Sequence, residues 1–222
     1  MGLVLYGGTA IALRFGHRES VDFDFFSERA LDKQAVRSVS PLLENAGVLQ
    51  DQPETLTLAV PVPGADVPVK VSFFGGITFG RVGEPDVSEN GVLIASPADL
   101  LATKLKVMLE RVEAKDYRDV AMLVRAGVEL SRGLAAAALL FKPAFQPSES
   151  LKALVYFKGG DLDTLSRTER LVLTEAAAAV RDLPAIALLS GSLAAHRSES
   201  ARGVAQPRDT AALQADPREE HS

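Results

Sequence analysis

Cysteine is absent from this 222-residue sequence, and histidine is scarce. Without thiols the chain forms no disulfide, binds no zinc through thiolate ligands and has no cysteine nucleophile. The three histidines, His17, His196 and His221, lie far apart along the chain, which argues against a histidine-rich metal cluster. Thiol chemistry is therefore excluded, and the candidate chemistry has to come from other side chains and from the backbone.

Long apolar runs and an excess of positive charge are also missing. No apolar stretch approaches the roughly 20 residues that span a bilayer, and the first residues lack the basic region of a secretory signal. We therefore expect a cytoplasmic protein without a membrane partner. The formal net charge is −5, so any contact with nucleic acid would need a local basic patch.

A glycine pair follows the first apolar segment of the chain. Residues 3–6 predict a short buried strand, and Gly7 and Gly8 predict a turn after it. Residues 9–15 predict a helix with Thr9 as its N-cap. Glycine N–H groups at a helix N-terminus can approach phosphate oxygens closely. A glycine pair alone is more often a simple turn, so both interpretations stay open at this point.

Two aspartates follow on alternate positions of a second apolar run. Residues 21–26 predict a strand with Asp22, Asp24 and Phe26 on one face. Alternate residues of a strand lie about 6.5 to 7 Å apart, so the two carboxylates could bind a hard cation such as Mg²⁺. The alternative is an exposed strand with solvated carboxylates. Because aspartate is unfavourable inside strands, the placement of two of them here calls for a reason.

The rest of the first half predicts a small mixed sheet with a helix or two. Residues 27–46 predict a helix, and residues 55–60, 69–74 and 91–95 predict strands. Together with the first two strands, these elements predict an α+β core over residues 1–95.

The second half is helical in character. Ser96 as N-cap and Pro97 at the first helical position predict a helix start. After a break, a second helix is predicted with Asp116 as its N-cap. Residues 96–190 thus predict a helical domain, whereas residues 191–222 are polar and predict a disordered tail. The predicted core-facing stripe of the first helix consists of Leu101, Leu105, Met108 and Val112.

Two segments of the chain resemble a known family when they are taken together. "GGTAIALRFGHRESVDFDFF" resembles the first motif of nucleotidyltransferases related to DNA polymerase β, in which G-G-[ST] is followed by D-x-D. Its residue pattern, with "GHRES" before "DFDFF", is most similar to that of the AbiEii/AbiGii toxins of type IV toxin–antitoxin systems. "PADLLATKLKVMLERVEAKDYRDVAMLV" is similar to the lysine-bearing helix and the K-D-x-x-D segment of that family. The resemblance covers roughly residues 3–160.

The resemblance implies a role in the active site for several residues. Arg18 is a further candidate because of its position in the sequence. The resemblance implies that Asp22 and Asp24 bind Mg²⁺ and act in catalysis. In the loop before the second strand, Arg18 could reach a phosphate, whereas His17 beside it predicts a local hydrogen bond. The residues implied to hold the triphosphate are Gly7, Gly8 and Thr9. Those implied to complete the catalytic and nucleotide site are Lys104, Lys115 and Asp116.

The implied fold is a polymerase β-like nucleotidyltransferase core followed by a helical domain, without the helix that usually precedes the first strand in the family. The implied function is a Mg²⁺-dependent toxin that transfers NMP from an NTP to a hydroxyl of tRNA or protein and has a cognate antitoxin.

One position departs from the family pattern. Ser72 stands where a third carboxylate is expected on a later strand, and a hydroxyl cannot replace a carboxylate as a base. Either another group such as Asp116 serves in its place, the site uses one principal metal, or catalysis is weakened. The alternative function is therefore that of a catalytically weakened relative that binds nucleotide and acts by binding RNA or a partner protein.

Overall fold

The computed structural model describes residues 2–195, and its centre is one seven-stranded mixed sheet. The strands lie side by side in the order β3-β4-β5-β2-β1-β7-β6. The predicted tail lies outside the described residues from position 196 onward, and so do His196 and His221. The strand bounds are β1 Val4–Tyr6, β2 Asp22–Phe26, β3 Gly47–Gln52, β4 Thr55–Val60, β5 Val69–Phe74, β6 Asp86–Val87 and β7 Leu93–Ile94.

Helices cover both faces of this sheet. The shorter helices pack on the face that carries Phe25 and Phe73, whose rings stack with centroids 5.5 Å apart. Leu5, Leu101 and Leu134 belong to one hydrophobic core, so the predicted halves of the chain pack together. The helix bounds are α1 Gly7–Phe15, α2 Lys33–Ser38, α3 Pro41–Glu44, α4 Pro97–Val107, α5 Ala114–Arg125, α6 Leu130–Leu140, α7 Pro147–Val155 and α8 Arg167–Ala179, with a 3-10 turn at Leu162–Thr164.

The start of α4 and the strands β4 and β5 confirm the predictions made for them. The Ser96 hydroxyl accepts a hydrogen bond from the Asp99 amide at 3.1 Å, and Pro97 is the first helical residue.

No helix among residues 2–195 is long and apolar enough to cross a membrane. Leu193 is fully buried, so the chain still packs on the core at that position.

The prediction of a single helix over residues 27–46 is wrong. Two short helices lie there instead, because Ser40 caps a new helix that begins at Pro41. A proline lacks the N–H that a continuing helix would need. Gly47 then opens the edge strand β3, which was not predicted because all six of its residues are exposed and show no buried face.

Three predicted helix features are also wrong. Thr9 is not an N-cap, because α1 begins at Gly7 and Tyr6 holds the N-cap position. Asp116 is not an N-cap either, since that position of α5 belongs to Glu113. Helix α4 ends at Val107, so Val112 lies outside the predicted apolar stripe and 44% of its surface is exposed.

Candidate active site

A cleft of about 740 Å³ opens between the sheet and helix α4. It brings together seven of the nine predicted site residues, and the other two, Thr9 and Asp116, are not among its lining residues. The predicted residues that line the cleft are Gly7, Gly8, Arg18, Asp22, Asp24, Lys104 and Lys115.

The floor of the cleft consists of β2 and β5, which pair in parallel. Successive register pairs on this face are Asp22 with Lys70, Asp24 with Ser72 and Phe26 with Phe74. Because alternate residues of a strand share a face, the floor changes from charged to hydroxyl-bearing to aromatic along its length. The two aspartates therefore lie at the charged end, on the face that the sequence predicted.

The glycine pair lies against the side chains of two predicted site residues. Gly7 has a φ of +73°, and a Cβ there would lie 2.8 Å from the Asp24 Oδ2 atom. A Cβ on Gly8 would lie 2.0 Å from a terminal guanidinium nitrogen of Arg18. Only glycine fits these positions without displacing the carboxylate or the guanidinium. No side chain caps the N-terminus of α1, so its first N–H groups are not used by a cap.

Thr9 is buried in the first turn of α1, and its hydroxyl binds the segment that leads into β2. The hydroxyl donates to the Asp22 carbonyl oxygen, and it forms a hydrogen bond with the Ser20 hydroxyl at 2.7 Å. These bonds hold the loop before β2 against α1. Thr9 thus fixes where Asp22 enters the cleft.

Burial raises the pKa of the Asp24 carboxyl, and the negative charge of Asp22 raises it further. The charges of Lys70 and Lys104 and hydrogen bonding from Ser72 oppose this shift without cancelling it. The ionised form of Asp24 is therefore stabilised less than it would be in water. A cation bound between the two aspartates would supply the missing stabilisation.

A second pair of aspartates, Asp116 and Asp119, is fully buried behind the cleft wall. The Lys104 ammonium lies 2.7 Å from the Asp116 carboxylate and 2.8 Å from the Asp119 carboxylate. Arg111 also binds Asp116, with its Nε 2.8 Å from the Oδ2 atom. Lys104 reaches the cleft, where only 5% of its surface is exposed.

Asp119 holds the two predicted residues of the loop before β2. The Arg18 guanidinium binds both Asp119 oxygens, at 2.8 and 2.9 Å, and the His17 Nε2 atom lies 2.8 Å from Oδ1. His17 thus forms a hydrogen bond, but its partner lies 102 positions away in the sequence and is not a neighbour in the loop. The fork of Arg18 is fixed where it faces Gly8.

The surroundings of Asp116 and Asp119 shift their pKa values downward. Burial by itself would raise the pKa of both carboxyls. Hydrogen bonds from Arg111 to Asp116 and from Arg18 to Asp119, together with the charge of Lys104, outweigh that effect. Both carboxylates therefore stay ionised and hold the cations in place.

Sequence reasoning did not single out Asp119, although a signal for it was present. In "KDYRDV" Asp116 and Asp119 are three residues apart, which places them on one face of a helix. The sequence does not show that this face is buried, nor that the partners of Asp119 come from the loop before β2. Only the fold brings Lys104 between the two carboxylates.

Ser72 occupies the floor position beside Asp24. Its hydroxyl is buried and accepts a long hydrogen bond of 3.4 Å from Thr57 on the next strand. Among residues 2–195 no three His, Asp or Glu side chains are grouped so that they could hold a metal ion. Asp22 and Asp24 offer two carboxylates on one strand face, and such a set would suit Mg²⁺ because this ion completes its shell with water and phosphate oxygens.

Lys115 lies on the rim of the cleft. Its side chain is 45% exposed, and its ammonium pairs with Glu113 at 2.7 Å. The position of the Lys115 side chain is therefore less fixed than that of Lys104 or Arg18.

The chain matches a family model and one curated relative. The model of the nucleotidyl transferase AbiEii toxin of type IV toxin–antitoxin systems matches residues 2–185. An uncharacterized protein of Aquifex aeolicus (strain VF5) is 30% identical over 124 residues, which are 54% of this chain and 57% of that protein. The chain thus spans a little over half the length of this relative.

Solved structures share the fold at low sequence identity. JHP933 from Helicobacter pylori has a TM-score of 0.52 at 22% identity, covering 80% of this chain and 83% of its own. MenT4, a nucleotidyltransferase toxin from Mycobacterium tuberculosis H37Rv, has a TM-score of 0.52 at 16% identity, covering 81% of this chain and 76% of its own. The predicted α+β nucleotidyltransferase fold is confirmed. Since the family model spans most of the chain, this protein belongs to the AbiEii family of nucleotidyltransferase toxins.

Proposed function

We propose that this chain is a Mg²⁺-dependent toxin that transfers a nucleoside monophosphate from an NTP to an acceptor hydroxyl. The observation that carries the proposal is the close approach of the Gly7 and Gly8 backbone to the Asp24 carboxylate and the Arg18 guanidinium. A phosphate group placed there would face backbone N–H groups, a cation and a carboxylate able to hold a metal.

Asp22 and Asp24 are the residues that would hold Mg²⁺. Both belong to the face of β2 that lines the cleft, and the raised pKa of Asp24 indicates a carboxylate in need of a cation. Bound Mg²⁺ would supply charge neutralisation and orientation of the phosphate oxygens. Residues of the chain bind the triphosphate and offset its negative charge.

The N–H groups of Gly7 and Gly8 bind the triphosphate, and Arg18 and Lys104 offset its negative charge. Asp119 fixes Arg18 with two hydrogen bonds and also binds Lys104, so both cations are oriented before the substrate enters. We assign Asp116 a positioning role, because its oxygens bind Lys104 and Arg111 and do not line the cleft. Thr9 acts in the same way on the strand that carries Asp22.

In the transfer step the acceptor oxygen forms a bond to the α-phosphorus while the bond from that phosphorus to the pyrophosphate oxygen breaks. Pyrophosphate leaves with the bonding electron pair, and Arg18 and Lys104 stabilise its charge. The acceptor's proton passes to water in the open cleft, since Ser72 is no base. Such a transition state needs little activation of the nucleophile when positioning and charge stabilisation are strong.

The lining of the cleft supports a polyanionic acceptor. Six lysine and arginine side chains line it against three aspartate and glutamate side chains, although the whole chain carries a net charge of −5. We propose a hydroxyl of RNA such as the 3′ end of tRNA as acceptor, with a protein hydroxyl as the other candidate. A cognate antitoxin and a cytoplasmic location, where NTPs and tRNA are found, complete the proposal.

Ser72 favours a second candidate function. With two carboxylates and no third beside them among residues 2–195, the protein could bind nucleotide and act on RNA or a partner by binding alone. This candidate shares the nucleotide site and differs only in turnover.

The test uses the full chain and a variant that carries both Asp22→Asn and Asp24→Asn. Each is incubated with Mg²⁺, one of the four α-³²P-labelled NTPs, and either total tRNA or a protein extract. We expect label on the acceptor with the wild type only, and growth arrest on expression of the wild type only. Equal labelling by the variant would refute the site. NTP binding by the wild type without labelling of any acceptor would favour the second candidate.

A further inference from the structure

Four phenylalanine rings line the end of the cleft that lies away from the charged floor residues. Phe26 and Phe74 form a register pair on the floor, and Phe79 and Phe141 stand beside them. The ring centroids of Phe26 and Phe79 lie 6.3 Å apart, and those of Phe79 and Phe141 lie 5.1 Å apart. We call these four residues the aromatic end.

The aromatic end is built from distant parts of the chain. Phe79 belongs to the loop after β5, and Phe141 is the C-cap of α6. All four rings are half-buried, so each keeps some surface that a ligand can cover. A patch of this kind in a cleft with charged walls differs from the apolar core, in which side chains such as Leu5 and Ile11 are fully buried.

The spacing along β2 relates the aromatic end to the proposed phosphate site. Phe26 lies two residues beyond Asp24 on the same strand face, so the two side chains start about 6.5 to 7 Å apart. A single ribose bridges a span of that size between a phosphate and its base. A nucleotide whose phosphates lie at Gly7 and Asp24 would therefore bring its base to the rings.

We infer that the aromatic end binds the nucleobase of the substrate by stacking. This inference rests on the proposed function and assigns the base a place in the same cleft. Phenylalanine rings carry no hydrogen-bonding atoms, so they do not read the polar edge of a base. Stacking on these rings therefore does not by itself select one base, and it favours purine nucleotides because their larger rings cover more aromatic surface.

The experiment compares the binding of ATP with that of inorganic tripolyphosphate, which lacks ribose and base. Calorimetric titrations in the presence of Mg²⁺ use the full chain, the variants Phe74→Leu and Phe141→Leu, and the control Phe25→Leu. Phe25 lies on the same strand as Phe26 but packs on Phe73 at the opposite face. The control thus makes the same change to the sheet without touching the cleft.

We expect both cleft variants to weaken ATP binding by about tenfold, with tripolyphosphate binding unchanged and the control equal to wild type. A parallel loss for ATP and tripolyphosphate, or no loss for ATP, would overturn the inference while NTP transfer by the wild type still stood. Failure of the wild type to bind either ligand would overturn the proposed function as well.

A second measurement does not depend on the folding of any variant. In the wild-type protein with bound ATP, nuclear Overhauser effects are expected between the adenine H8 and H2 protons and phenylalanine ring protons. Their absence in a saturated complex would overturn the inference.

Discussion

Two pairs of aspartates lie in and behind the cleft of this protein, and they differ in burial and in how their charges are compensated. Asp22 and Asp24 are half-buried at the cleft floor, whereas Asp116 and Asp119 are fully buried and do not line the cleft. Lys104 acts on the pKa of Asp24 and binds the second pair directly. The pKa of Asp24 is nevertheless raised, while those of Asp116 and Asp119 are lowered.

The two pairs differ in whether cations of the chain itself compensate their negative charge. The buried pair is matched by Lys104, Arg111 and Arg18, so its charges are compensated within the chain. The charge of Asp24 on the floor is incompletely compensated, so a ligand can supply the compensation. One pair of carboxylates thus orients the cations of the chain, and the other pair is the one that we propose binds a metal ion.

The largest expected effect on stability comes from breaking the buried pair. Asp119→Asn leaves Lys104 and Arg18 without one of their counter-charges in a buried setting. We expect the free energy of unfolding at pH 7 to fall by about 3–5 kcal/mol, the usual cost of removing one partner from a buried ion pair. Urea denaturation measures it. The matched control is Asp66→Asn in the exposed loop between β4 and β5, with a change within about 0.5 kcal/mol. A loss as small as that of the control would contradict the assignment.

The pH dependence of stability should carry the same signature. The folded-state pKa values of Asp116 and Asp119 lie below the unfolded value of about 3.9. Their contribution is therefore fully present above that value and is lost as the pH falls through the lower, folded values. We expect the free energy of unfolding of the wild type to drop below about pH 4 more steeply than that of Asp119→Asn. Parallel curves for the two proteins would show that Asp119 is not the source.

A smaller effect of opposite sign is expected at the cleft floor. Because the pKa of Asp24 is raised in the folded state, its ionised form lowers stability as the pH rises through the unfolded and folded values. Asp24→Asn removes that cost, so the free energy of unfolding at pH 7 should stay equal or rise by up to about 1 kcal/mol. NTP transfer by the same variant should fall by more than about 100-fold. A variant that is both inactive and strongly destabilised would remove the contrast between the two pairs.

The local part of the site was predictable from the sequence. A strand, a glycine pair, a short helix and a second strand follow one another within Val4–Phe26, so their order and periodicity place Gly7 beside Asp24. The alternation on β2 also predicted that Asp22, Asp24 and Phe26 share a face. Elements that are adjacent in sequence and short leave few ways to pack.

The distant part of the site was not predictable in the same way. The bond from Arg18 to Asp119 joins residues 101 positions apart, and the aromatic end gathers Phe26 and Phe141 from opposite halves of the chain. Periodicity assigns a residue to a face but does not say which element covers that face. The edge strand β3 escaped prediction for a related reason, since a strand with no buried face has no apolar alternation.

The smallest effect is expected for Lys115, which the family resemblance places in the nucleotide site. Its side chain is 45% exposed and pairs with Glu113, and such a pair contributes little because solvent and salt screen it. We expect Lys115→Ala to raise the Kd for ATP by no more than about threefold, with the difference vanishing at high salt. The matched control is Lys152→Ala, whose side chain is 73% exposed and pairs with Glu149 on helix α7. A loss of ATP binding that is large and persists in high salt would mean that Lys115 contacts the triphosphate directly. The triphosphate would then bind a cation that neither Asp116 nor Asp119 orients.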